Sequence, residues 1–302
     1  ARRKRARGKA SRRACSGCAG HLAIGWTVAN ICLRPAGPPL EQCAARPLVS
    51  WALRNLHRGG DVREMMGPTW LPYCGAAPVP GDWLARWNGD PLLLLAFAAV
   101  GVWAWRRGDT KSVFWVGLAV LALLFVSPLC ALSSALFSVR VVHHVALTAV
   151  AAPLLLRGLP HLVVRGGAAI WAAVHILLFW FWHAPGPYAF ALSNDLVYWA
   201  MQLLLLGSAI GFWGSLQRAS TPLAIGLLLA MMVQMGLLGA LITFAGVPIY
   251  APHYVSTFAW GLTPLEDQQL AGLIMWAPAA AFYLAAALVR GWHLLAPARA
   301  PA

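Results

Sequence analysis

The residues best suited to chemistry in this chain are a few histidines, one acidic pair and a set of sulfurs. Arg140 and His144 in Ser138-Val-Arg-Val-Val-His-His144 are four residues apart, so a helix would present both on one face. His183 closes Phe181-Trp-His183-Ala-Pro. His253 stands in a proline-rich segment, and Glu266-Asp-Gln-Gln269 precedes another apolar run. Neutral imidazole suits copper, zinc and iron, and a carboxylate completes a site or orients a histidine from behind. Met201, Met231, Met235 and Met275, with Cys74 and Cys130, are soft donors that favour Cu(I). Methionine in an apolar helix is more often packing, and two cysteines outside a reducing compartment can instead form a disulfide. Each histidine taken alone reads most simply as a helix-end imidazole bonded to a backbone carbonyl. Taken as a set from separate segments that share one side, they favour a site. The expected metal contacts are His144, His183, His253 and Met275. Arg140, His143, Asp267 and Gln268 are placed behind them or in structural roles.

These residues are carried by apolar segments. The chain is 60% hydrophobic and 11% charged over 302 residues, which excludes an ordinary soluble domain. Seven apolar stretches, at about residues 91–105, 113–132, 141–156, 168–182, 196–213, 222–244 and 270–289, approach the roughly 20 residues that cross a bilayer. The fold class is therefore all-α, a polytopic bundle of about seven transmembrane helices. Arg106, Arg107, Lys111, Arg157, Arg165, Arg218, Arg290 and Arg299 fall in alternate connections, and Asp195, Glu266 and Asp267 in the others. The excess of Lys and Arg marks the cytoplasmic side, so the N-terminal flank lies outside and the C-terminus inside. Arg140 is the basic exception on the outer side. His144, His183 and His253 then share the outer side, with His175 deeper. Trp83, Trp87, Trp105, Trp182, Trp213 and Trp260 fall near the interfaces, as an aromatic belt would.

The N-terminus departs from this pattern. Residues 1–64 hold 13 Lys or Arg and 3 acids, a net +10; the remaining 10 and 6 give a net +4. Such a basic run would ordinarily suit nucleic acid or anionic lipid, yet the charge pattern puts it outside. It reads as a cytoplasmic arm with 21–33 as a weak extra span, as a disordered tail, or as sequence upstream of a start at Met65 or Met66. The change of composition at Met65-Met-Gly-Pro68 favours the last. Cys15-Ser-Gly-Cys18 is a lone CxxC and a weak metal or redox signal. The expected organisation is an extension over 1–65, an outer flank over 66–90, a seven-helix domain over 91–290 and a cytoplasmic tail over 291–302. Nucleotide-binding, zinc-protease and serine-hydrolase motifs are absent from the sequence, so no enzyme is expected.

Four segments carry a resemblance. Phe137-Ser-Val-Arg-Val-Val-His-His144 through Ala152-Pro-Leu-Leu155 resembles a histidine-bearing helix of the CtaG-type cytochrome c oxidase assembly factors. So do Phe181-Trp-His-Ala-Pro-Gly186, Leu238-Gly-Ala-Leu-Ile-Thr-Phe244, and the long Gly261-Leu-Thr-Pro-Leu-Glu-Asp-Gln-Gln-Leu-Ala-Gly-Leu-Ile-Met-Trp276. Trp70-Leu-Pro-Tyr-Cys-Gly75 resembles the short leader of some members. The resemblance covers about residues 70–290. It implies a multi-pass protein of the bacterial inner membrane that helps assemble a haem–copper oxidase, with transient Cu(I) as cargo. The implied partners are cytochrome c oxidase subunits and the lipid bilayer, not nucleic acid. His144, His183 and Asp267 match motif positions. Arg140 and Gln202 stand where the family often has histidine, which leaves fewer nitrogen ligands. A small-ion transporter using Arg140, His175 and Gln234, and a haem-binding electron carrier, are the alternative readings.

Overall fold

The computed structural model describes residues 70–295, with side chains to residue 292. Contacts divide the chain into Ala1–Pro68 and Thr69–Ala302, and every described residue falls in the second unit. The lone CxxC, the weak 21–33 span and the Met65/Met66 start lie outside the described residues.

Proline and short polar caps set where each helix begins. α1 (Pro91–Arg107) starts with Asp90 accepting from the Leu92 amide and stops at Gly108, whose φ of 70° only glycine adopts freely. The Tyr73 hydroxyl donates to Asp90 and holds that carboxyl below its usual range. α2 (Ser112–Phe125) gives way to α3 (Pro128–Ala135), where Ser127 accepts from the Leu129 amide, Pro128 takes the first position and the axis turns by 49°. α4 (Phe137–Val145) continues through a π-helical turn at Ala146–Ala151 into α5 (Ala152–Gly158). Pro153 lacks the N–H that a regular α-helix would use, so the widened turn lets the axis pass it. α6 (Ala168–His183) bends by 77° into α7 (Pro185–Ala191), because Pro185 forces Ala184 into extended geometry. α8 (Asp195–Leu216) is capped by Asn194, and α9 (Thr221–Thr243) opens with Pro222 in its first turn. Thr263 and Glu266 form a reciprocal capping box at α10 (Pro264–Ile274). A second π turn, Met275–Ala279 with Pro278 inside it, leads into α11 (Ala280–Leu295).

Among the described residues, four continuous helices are long and apolar enough to cross a membrane, and up to six if each bent pair is one crossing. The 17 residues of α1, at 1.5 Å each, reach about 26 Å, near the thickness of a bilayer core of about 30 Å. The seven apolar stretches thus correspond to α1, the bent pair α2–α3, α4–α5, the bent pair α6–α7, α8, α9 and α10–α11. Leu203, Val233, Leu241 and Leu288 are exposed on the outside of the bundle. Such an apolar rim is expected where the solvent is lipid.

Helices in lipid gain little from burying more hydrocarbon, so close packing of small residues holds them. α9 and α10 show this directly. A Cβ on Gly239 would stand 2.7 Å from the Gly272 carbonyl oxygen. One on Gly272 would meet the Gly239 carbonyl at 2.6 Å and overlap the Thr243 side chain.

The bundle has two unlike ends. One gathers residues 70–90, the α2–α3 bend and the 245–263 connection. There Cys74 and Cys130 are joined in a disulfide, Asn88 Nδ2 donates to the Phe125 carbonyl at 3.0 Å, and Trp260 Nε1 donates to the Pro78 carbonyl at 3.1 Å. The disulfide corrects the reading of these cysteines as soft ligands: oxidised sulfur offers no thiolate to a metal. The other end gathers Lys111, Arg157 and Arg290.

Gly272→Ala should lower stability by about 1–3 kcal/mol through overpacking. Gly226→Ala, with nothing within 4 Å of the added carbon, should cost nothing. Thermal unfolding of the two variants in detergent checks this, and equal midpoints would contradict the close crossing.

Candidate functional site

A carboxylate from one helix starts the helix that carries the site. α10 leaves its capping box with Asp267 turned onto the first residues of α4. The carboxylate accepts from the Phe137 amide at 2.6 Å, the Ser138 amide at 3.2 Å and the Ser138 hydroxyl. A negative group there meets free N–H donors and the positive end of the helix dipole. The sequence placed Asp267 behind the histidines, orienting one of them or serving a structural role. Its oxygens are instead occupied by α4's own donors, so it positions the histidines by fixing their helix.

One face of α4 then presents Arg140, His143 and His144, all buried. The facing residue is His183, at the end of α6. His144 Nδ1 and His183 Nε2 are 3.3 Å apart, with ring planes at 85°. His183 Nδ1 lies 2.7 Å from the Phe179 carbonyl, which can only accept, so that nitrogen carries the proton. His183 Nε2 is therefore an acceptor, and His144 Nδ1–H donates to it. His144 Nε2 is left with a bare lone pair, buried and without a partner. Phe179 stacks on the His183 ring at 4.2 Å and fixes its plane. Thr148 Oγ1 donates to the His144 carbonyl at 2.8 Å.

Arg140 is fully buried over the Tyr198 ring, 5.3 Å from its centre, and Nη1 donates to the Tyr198 hydroxyl at 3.4 Å. Its Nε and Nη2 have no partner, and no carboxylate pairs with it among the described residues. His143 meets Phe125 edge-on at 4.9 Å, and neither ring nitrogen has a partner. Gln202, buried on α8, has neither amide atom in a geometrically sound hydrogen bond.

The remaining expected residues lie elsewhere. His253 does not join the histidine pair as a free ligand. Its Nδ1–H donates to the Ala135 carbonyl at 3.3 Å, and its Nε2 accepts from the Tyr188 hydroxyl at 2.7 Å. Burial pushes its pKa down to about 3, so it is neutral. Gln268 is structural: its amide donates to the Ile242 and Val247 carbonyls, and its oxygen accepts from the Ile249 amide at 2.7 Å. Met201, Met231, Met235 and Met275 are buried in the main apolar cluster. His175 sits apart, bonded to Ser208 Oγ at 2.8 Å and stacked on Phe212. No group of three or more His, Cys, Asp or Glu converges among the described residues. The site is thus a two-histidine pair beside an unpaired guanidinium.

Sequence reasoning passed over three tyrosines that build this end of the bundle. Tyr188 holds His253, Tyr198 holds Arg140, and the Tyr250 hydroxyl donates to the His183 carbonyl at 2.7 Å. A tyrosine in or beside an apolar segment must find a partner for its hydroxyl, and that was the available signal.

A protein-family model described as cytochrome c oxidase caa3 assembly factor (Caa3_CtaG) matches residues 94–172 and 168–296. No curated protein and no solved structure matches the chain.

Two measurements test this geometry. Asp267→Ala strips a buried acceptor from two amides and should cost about 2–4 kcal/mol of unfolding free energy. Asp267→Asn keeps an oxygen there and should cost less. His253 also predicts a pH effect. Its folded pKa lies below the unfolded value of about 6.5, so its contribution is present above that pH and is lost as pH falls towards 3. By pH 5 the loss is about 2 kcal/mol. A His253→Gln variant should therefore lose stability less steeply between pH 7 and 5, and parallel curves would contradict the neutral buried ring.

Proposed function

This chain belongs to the cytochrome c oxidase caa3 assembly factor family, and on that premise we propose that it hands Cu(I) to an oxidase subunit from the outer side of a bacterial inner membrane. The observation that carries the proposal is the His144–His183 pair. Two imidazoles from separate crossings face each other across 3.3 Å in a water-excluded place. A metal–imidazole bond is about 2.0 Å, so two nitrogens sharing a linear ion stand about 4 Å apart. A small opening of the pair, with His144's proton moved to Nε2, fits that need. Two nitrogens make an open and exchangeable set, suited to transfer rather than storage.

The neighbouring charge favours release. Arg140 is on the same face of α4 as His144, one turn away. Its uncompensated positive charge opposes a cation held by the pair, and opposes a divalent one more than a monovalent one. At an effective dielectric near 20, a unit charge about 6 Å away is worth about 2–3 kcal/mol. The protein is read as a carrier without catalytic chemistry, acting through binding and hand-over.

Support for the outer side comes from two opposed features. Disulfides persist in oxidising compartments, and Cys74–Cys130 sits at the end of the bundle opposite the Lys111, Arg157 and Arg290 group. Basic residues favour the cytoplasmic side. The haem reading fits less well, because two axial imidazoles need room between them for a whole macrocycle, and these two rings are in direct hydrogen-bond contact. The transporter reading loses its path, since Arg140 and His175 are each tied to a separate partner.

Purified protein should bind one Cu(I), and His144→Ala with His183→Ala should abolish that binding. Deletion of the gene should lower oxidase activity and oxidase copper content without changing transcription of the oxidase subunits. Arg140→Gln should tighten Cu(I) tenfold or more and slow its transfer. Normal, fully metallated oxidase in the deletion strain would overturn the proposal.

A further inference from the structure

At the end of the bundle away from the disulfide, four chain segments enclose a recess of about 570 Å³. Lys111 enters from the α1–α2 connection, Arg157 from α5, Gln217 from the end of α8 and Arg290 from α11. Backbone contacts hold the walls in place. The Lys111 amide donates to the Gly158 carbonyl at 3.0 Å, and Arg290 Nη2 donates to the Leu216 carbonyl at 3.2 Å. None of the three cations is ion-paired with a carboxylate among the described residues. By contrast, Arg107 on the same end is paired with Asp109. Leu228 and Val289 continue the lining as hydrocarbon, and Trp213 borders it with its indole N–H donated to the Thr148 carbonyl at 2.9 Å.

Three like charges drawn into one recess repel each other and call for an anion. The apolar continuation of the same wall calls for a chain attached to that anion. Basic pockets between crossings are a recurrent way of holding anionic phospholipid heads. We propose that this recess binds the phosphate head of an anionic phospholipid, with its acyl chains laid along the Leu228–Val289 wall. Arg157 and Arg290 supply planar donors for phosphate oxygens, Lys111 supplies a point charge, and Gln217 supplies a neutral donor. The site is separate from the histidine pair and does not depend on copper.

The test uses the full chain in neutral detergent and measures binding of cardiolipin, phosphatidylcholine and inorganic phosphate. Lys111→Gln with Arg157→Gln should weaken cardiolipin at least tenfold. Arg165→Gln with Arg218→Gln removes the same charge from residues of the same end that are equally exposed but do not line the recess, and should change affinity less than threefold. The basic residues 1–64 add one background to every variant. Arg290→Gln alone should also weaken cardiolipin, so a folding defect in the double variant leaves the test intact. Equal losses in the two charge-matched pairs would overturn the proposal in favour of diffuse attraction. Inorganic phosphate binding as tightly as cardiolipin would overturn the lipid assignment.

Discussion

The site hangs on one carboxylate. Asp267 is fully buried, and its oxygens are filled by the first donors of α4. A helix start in the low-dielectric part of a bundle would otherwise leave amides unpaired, and each would cost about 1–3 kcal/mol. The same bond ties α10 to α4 across 130 residues of sequence. α10 is fixed in turn by its capping box and by the glycine crossing with α9. Helix rotation about that anchor sets which way Arg140, His143 and His144 face. The histidine pair is therefore a product of packing that reaches back two helices, through α10 to α9.

A second constraint is the shortage of polar partners inside the bundle. Tyrosine hydroxyls, backbone carbonyls and the histidines themselves satisfy one another at the disulfide end. Tyr188 serves His253, Tyr250 serves the His183 carbonyl, and His183 serves His144. Among the described residues, seven of the thirteen buried polar side-chain atoms without a partner belong to Arg140, His143, His144 and Gln202, and the other six are single atoms on Ser134, His175, Trp180, Trp182, Thr257 and Tyr283. Buried polar groups are normally paired. A cluster of exceptions in one place is where a ligand, an ion or a partner chain changes the energetics most. Met275 and the other methionines lie in apolar packing and add no comparable imbalance.

Much of the architecture was legible in the sequence, because bilayer thickness makes apolar run length informative. The seven stretches fall on α1, the two bent pairs and the four continuous helices, whereas the sharp bends at Pro128 and Pro185 were not anticipated. The π turns at Ala146–Ala151 and Met275–Ala279 were not legible. They alter hydrogen bonding by one residue without altering composition. Long-range partnerships were also hidden. Nothing local in Glu266-Asp-Gln-Gln269 says that the aspartate reaches Phe137 or that Gln268 pins the chain after α9. His253 looked like a ligand for the same reason: the partners that occupy both its nitrogens lie 65 and 118 residues away. The cysteines left two readings open, thiolate donors or a disulfide, and only their proximity decides between them.

The bond between His144 and His183 makes the pair self-sufficient along its shared seam. Each imidazole is the other's stand-in for solvent. Under the proposed copper role, an ion would have to displace a hydrogen bond whose net worth is about 0.5–1.5 kcal/mol, and that bond would re-form once the ion left. Release in that role would strand no buried nitrogen along the seam, so no desolvation penalty would oppose it.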